Sequence, residues 1–209
     1  MQYAPDECRS AKGAIFDPSG TYRYVLWRSW SSDPRIGFVM LNPNQADAEF
    51  DEPTIRRCIG FAKRWGFGGL EVVNLFAYRA KTPQLLKQAT EPIGEDNDRY
   101  LLTLSHRVDL IVLAWGNWGG LGQRDRAVLP FFQAQNVYSL GVTKLGHPKH
   151  PLYLRRDSDR IPWVEQRNLD SSHFIEPETW IPSLAVDCEL RSSNSASNCR
   201  AARSRFTFD

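Results

Sequence analysis

Apolar and polar positions along the chain alternate between short hydrophobic blocks and helical stripes. Residues 14–16 and 22–30 flank Asp17-Pro18-Ser19-Gly20. Turn chemistry between segments rich in aromatic and β-branched residues predicts a β-hairpin. Continuous apolar runs follow at 36–41 (IGFVML), 69–76 (GLEVVNLF), 108–115 (VDLIVLAW) and 136–140 (NVYSL). Runs of this length, apolar on both alternations, suit strands covered on two faces, as in a parallel sheet. Between them lie helical stripes. Pro53 opens one that carries Ile55, Ile59, Ala62 and Trp65 to Gly66, and others are predicted at about 82–90, 94–106 and 124–135. Strands alternating with helices predict right-handed parallel crossovers, with ligands beyond the carboxyl ends of the strands. The polar residues Asn42, Asn74, Asn117 and His147 all fall at or just past such ends.

Composition changes this picture little. The chain has 209 residues, 42% of them hydrophobic, enough for one sizeable core rather than two domains. We expect a single domain over 1–181 and a polar, disordered tail over 182–209, where Ser, Asn and Arg displace apolar residues. A net charge of +2 makes only a weak case for a nucleic-acid partner. Cys8, Cys58, Cys188 and Cys199 form no CxxC pair, so no metal site is expected, and free thiols fit a reducing compartment. The amino terminus has no signal-peptide core and no run reaches the length of a membrane span, which predicts a cytoplasmic protein. No GxGxxG or P-loop follows a strand, and no cofactor is expected.

Four segments carry the candidate chemistry: Met40-Leu41-Asn42-Pro43-Asn44, residues 70–80 (LEVVNLFAYRA), residues 110–117 (LIVLAWGN) and residues 145–153 (LGHPKHPLY). In order and strand placement they resemble the uracil-DNA glycosylase superfamily. The first is similar to its water-activating loop, the second to the strand whose Asn reads a flipped pyrimidine, and the fourth to its His-Pro loop. The chain is also similar to a bacterial family of uncharacterised domains with LNP and PTIRRC segments. The resemblance implies a three-layer α/β/α domain with a central, mostly parallel four-stranded sheet, uracil-DNA glycosylase-like, plus the N-terminal β-hairpin. It implies a DNA glycosylase, monomeric, with DNA as partner and no membrane association.

Carried onto this sequence, the resemblance makes Asn42 the water-orienting residue and His147 the donor to the departing base. Asp47 and Asp51 are nearby carboxylates able to supply the basicity that an amide lacks. Asn74 has both an acceptor and donors for a pyrimidine edge. Asn44 stands where members restricted to uracil carry a bulky Tyr, which implies a pocket open to C5-modified pyrimidines, including hypermodified phage cytosines. That opening motivates a role in antiviral defence. Phe50 is the expected stacking aromatic, and Lys149, His150, Arg79 and Arg56 the expected DNA contacts. Arg56, Arg57, Lys63 and Arg64 share one predicted helix, as a phosphate-binding face or an ordinary solvated one. Trp115 is expected to pack, and Trp118 to pack or to stack on a base. Two other readings stay open: a nucleic-acid-binding module without catalysis, and a hydrolase of free nucleosides or nucleotides.

Overall fold

A computed structural model describes residues 11–44, 48–132 and 136–163. The chain divides into two units, Met1–Glu165 and Gln166–Asp209, and all described residues belong to the first. The expected end of the domain at 181 and the tail over 182–209 lie outside the described residues.

The architecture is α/β around a seven-stranded mixed sheet. Its strands are β1 (Lys12–Phe16), β2 (Arg23–Ser29), β3 (Arg35–Met40), β4 (Gly69–Asn74), β5 (Leu110–Leu113), β6 (Val137–Ser139) and β7 (Ile161–Pro162). They lie in the order β1-β2-β4-β3-β5-β6-β7. β4, β3, β5 and β6 run parallel, while β1, β2 and β7 are antiparallel to their neighbours. The sheet is therefore wider than the four strands expected. The hairpin is part of it, because β2 pairs with β4 from Leu26↔Val72 to Ser29↔Gly69. This antiparallel pairing sets the first residue of β2 beside the end of β4, and Arg23 N–H donates to Ala77 C=O at 2.9 Å.

Alternation along the parallel strands splits the core between two faces. Val39, Val73, Ile111 and Leu113 pack with Leu86 of α2 (Pro83–Gln88), Leu101 of α3 (Asn97–Leu102) and Val128 of α4 (Arg124–Val128). Phe38, Met40, Leu70, Val72 and Val112 pack on the other face against α1 (Pro53–Arg64). Helix α1 forms over the predicted segment, but of the expected stripe Ile55 and Ala62 are buried while Ile59 and Trp65 are only partly so. Pro53 sits in the first turn, where its missing N–H costs nothing, and Ile55, Cys58, Phe61 and Ala62 form the buried stripe. Burial of Ile55 and Phe61 alone contributes roughly 1.5–3 kcal/mol each.

Two predicted helices are shorter than expected. The segment 94–106 gives α3 and then a 3-10 turn at Leu104–His106. Thr103 Oγ1 donates to Arg99 C=O at 2.8 Å, and this local competition for a helical carbonyl marks the break. The segment 124–135 gives α4 and a 3-10 turn at Leu129–Phe132, which contains Pro130, and 133–135 lies outside the described residues. Among the described residues no helix is long and apolar enough to cross a membrane.

Candidate functional site

The carboxyl ends of the parallel strands open into a cleft of ≈ 760 Å³. Its lining includes Asn42 and Asn44 after β3, Asn74 at the end of β4, Trp115–Asn117 after β5, and Thr143, Lys149 and His150 after β6. The strand-end rule thus brings together residues more than 100 positions apart in the chain, Asn42 and His150 among them. Such a volume accommodates a small ligand.

Asn42 is fixed by its neighbours. Its Nδ2 donates to Pro43 C=O at 2.9 Å and to Ala80 C=O at 2.8 Å. Two carbonyl acceptors require the NH₂ end there, so the amide orientation is determined and Oδ1 is the end left to receive a proton donor. An amide oxygen orients a water but does not take its proton.

Asn74 is buried, and its backbone is pinned where β3 and β4 separate. Its C=O accepts from Asn97 Nδ2 at 3.1 Å. The next residue, Leu75, donates its N–H to Met40 C=O at 2.9 Å, while its own C=O accepts from Asn97 Nδ2 and Arg124 Nε. The side-chain Nδ2 of Asn74, by contrast, is buried without a hydrogen-bond partner among the described residues. Leaving such a donor unmade costs about 1–3 kcal/mol, and here it lies in a residue that lines the cleft. Asn44 adds a buried Oδ1 that is likewise partnerless among the described residues.

The two histidines of the GHPKHP loop separate. A hairpin-like turn, with Thr143 N–H donating to His147 C=O at 2.8 Å and a Val142↔Pro148 bridge, carries His147 toward α4. There its Nδ1 lies 3.3 Å from the Asp125 carboxylate, and it is not among the residues lining the cleft. His150 takes the cleft position instead. Gly116 N–H donates to Pro148 C=O at 2.8 Å and ties the two loops together. Gly116 has φ +72°, and a Cβ there would sit 3.6 Å from His150 Cβ. Glycine suits this position on conformational grounds and leaves the approach to His150 open. Burial lowers the His150 pKa from 6.5 to about 4, so the imidazole is neutral near pH 7. Its Nδ1 accepts from Leu152 N–H at 3.3 Å, which leaves the ring proton on Nε2. His150 thus lines the cleft as a neutral imidazole with Nε2–H as its donor.

The carboxylates also rearrange. Asp51 binds Arg28, at 2.8 Å to Nε and 2.7 Å to Nη2, and Arg28 is 6% exposed. Asp51 therefore serves an internal ion pair and does not line the cleft. Asp47 lies outside the described residues. Glu52, the residue before α1, is the acid among the described cleft-lining residues. Sequence reasoning missed it because nothing in the residues before Pro53 says which of the adjacent acids, Asp51 or Glu52, faces the strand ends. Arg23, 2% exposed, also lines the cleft. It was missed because an isolated hairpin would not reach the strand ends, and only the β2–β4 pairing brings it there.

Of the remaining expected contacts, Lys149 is exposed on the cleft lining. Arg79 instead braces the hairpin turn, donating to Gly20 C=O at 3.1 Å with its guanidinium 5.1 Å from the Phe16 ring centroid. Phe50 is 56% exposed but is not part of the lining. The exposed aromatics on the lining are Trp118 and Tyr153, 39% and 85% exposed. Trp115 is buried and packs against Gly119, as expected for a wall residue. Arg56 faces a neighbouring groove.

No curated protein and no solved structure matches the chain significantly. A family model described as "Protein of unknown function (DUF1643)" matches residues 23–152, a span from the buried Arg23 to the loop just past His150. That match covers more than half of the sequence, and the chain belongs to this family.

Proposed function

We propose that the protein is a DNA glycosylase that hydrolyses the N-glycosidic bond of a flipped pyrimidine and leaves an abasic site. The observation that carries this reading is the buried, partnerless amide NH₂ of Asn74 in the cleft lining. A buried donor of this kind is satisfied by a ligand carbonyl, and the pyrimidine edge supplies one. The parallel order β4-β3-β5-β6, with the cleft at its carboxyl ends, fits the uracil-DNA glycosylase resemblance of the sequence.

In this reaction a water oxygen bonds to C1′ while the glycosidic electron pair leaves with the base. Asn42 Oδ1 orients the water. Glu52 accepts the proton that the water releases, a task an amide cannot perform. Negative charge grows on the departing pyrimidine. It meets the neutral Nε2–H of His150 and the low-exposure guanidinium of Arg23, both already in position before the bond breaks. Trp118 and Tyr153 offer faces for stacking, and Lys149 a charge for phosphate. Asn44 Oδ1 suits a hydroxyl donor on a C5 substituent, which favours a modified pyrimidine such as the hydroxymethylcytosine of phage DNA and a role in defence.

A second reading, a nucleic-acid-binding module without catalysis, is favoured by one observation: the residue before Pro43 is an amide whose NH₂ is already committed to carbonyls. The test is incubation with duplexes carrying uracil, 5-hydroxymethylcytosine or its glucosylated form, followed by alkali. Strand breaks that disappear in Asn74→Ala and His150→Ala are expected. DNA binding without breaks on any duplex would leave the binding module as the better reading.

A further inference from the structure

Beside the cleft lies a second groove, of ≈ 640 Å³, between α1 and the segment after His150. Arg56, Arg57 and Arg64 line it from the helix and Arg156 from the opposite side. Its charge is largely uncompensated. Arg64 lies 3.1 Å from Asp159, whereas Arg56, Arg57 and Arg156 have no carboxylate partner among the described residues. The nearby Asp157 is held by Arg155 at 2.8 Å, and Asp51 by Arg28. Arg57 is pinned by hydrogen bonds to the carbonyls of Pro151 and Leu154, and Arg64 by one to Ser158. Carbonyl acceptors fix a guanidinium without neutralising it, so these cations are ordered before any ligand arrives and little entropy is lost on binding. Leu152 lines both cavities, which makes groove and cleft adjoining spaces.

We infer that this arginine groove seats the phosphodiester backbone of the polynucleotide strand whose base occupies the cleft. The inference rests on the polynucleotide part of the reading above, not on its chemistry. Charge and continuity support it, and so does length. Arg56 to Arg64 spans roughly 12 Å along an α-helix, or about three to four nucleotides at the roughly 3.4 Å per nucleotide of one strand of a duplex. The strand therefore runs from the cleft over Leu152 and along α1, with its phosphates on the guanidinium groups. Guanidinium N–H donors pair readily with phosphate oxygens, and contacts of that kind contribute affinity and register but not sequence preference.

Gly60 supplies a clean probe. It lines the groove, and a Cβ placed on it meets nothing within 4 Å. Gly60→Glu thus introduces a carboxylate into the groove without collision, on a helix that any residue other than glycine or proline favours more. The experiment measures binding of fluorescein-labelled 15-residue deoxythymidine and uridine oligomers by anisotropy across a salt series. It uses the full chain, Gly60→Glu, the double variant Arg56→Gln/Arg156→Gln, and Asn74→Ala. The double variant removes two cations, so its slope of log K against log salt falls by about 1.4 for a single strand. Gly60→Glu weakens binding at least tenfold at low salt with an unchanged circular dichroism spectrum, and Asn74→Ala keeps the wild-type slope. Both oligomers show the same losses, because the phosphodiester is common to them. Absence of base excision alongside these shifts would sink the glycosylase chemistry and leave the groove assignment standing. Wild-type slopes and affinities in both groove variants, or no binding of either oligomer to the unmodified chain, would overturn it.

Discussion

The state of His150 can be tested without knowing the substrate. Burial holds its pKa near 4, against 6.5 for an exposed imidazole. Between these values the unfolded chain takes up a proton that the folded chain refuses, so protonation favours unfolding. Stability is therefore fully present above about pH 6.5, declines as pH falls, and stops declining on this account below about pH 4. The whole gap corresponds to roughly 3 kcal/mol. At pH 4.5 about 2.5 kcal/mol of it is already lost. Carboxylates titrate in the same range, so the measurement is a difference of differences. Urea unfolding of wild type and His150→Gln is followed at pH 7 and pH 4.5. Wild type is expected to lose about 2.5 kcal/mol more than the variant, because glutamine has no charge to gain. Parallel losses in the two proteins would refute the argument that burial keeps this ring neutral. With it would go the assignment of a neutral Nε2–H donor in the cleft. The functional counterpart is a flat activity profile across the range in which an ordinary histidine would titrate.

Three further outcomes follow from particular contacts. Asn74→Leu removes the partnerless NH₂ and fills a similar volume, so thermal stability is unchanged or rises by up to about 3 kcal/mol while ligand binding in the cleft is lost; a large loss of Tm would mean that the amide has a structural partner. Asp51→Ala removes one carboxylate partner of the 6%-exposed Arg28 and is expected to cost about 1.5–3 kcal/mol in urea titrations, without changing the pH dependence of activity, as befits a residue outside the cleft lining. Gly119→Ala places a Cβ about 2.0 Å from Trp115 Cδ1, and the displaced indole is expected to lower stability by about 1–3 kcal/mol, with altered tryptophan fluorescence as the local readout.

The fold was largely legible because both faces of the parallel strands are covered, so their apolar runs announce them. The width of the sheet was not. Nothing in residues 14–30 says that the hairpin's second strand will pair with β4, since hairpin patterns look alike whether isolated or docked. Arg23 was lost with that information. In the site, Asn42, Asn74 and Asn117 were legible from polar residues at the ends of apolar runs, and Asn44 only from the resemblance. The choice between His147 and His150 was not, because each precedes a proline. Only the Thr143–His147 turn decides which of them enters the cleft. Similarly, Asp51 and Glu52 are adjacent carboxylates whose roles divide according to which way the chain enters α1. One meets Arg28 and the other the cleft.

The far edge of the sheet carries a consequence of its own. Trp163 N–H donates inward to Val137 C=O, so the neighbouring position, Pro162, is the one whose amide would face outward. Proline has no hydrogen to offer there. An incoming strand from another molecule would meet an edge lacking a donor at that position, with Ile161–Pro162 as the regular structure of β7 among the described residues. Among the described residues the short antiparallel strand beside β6 thus works as a stop: it pairs with the open side of the parallel core and offers at Pro162 no donor for further extension.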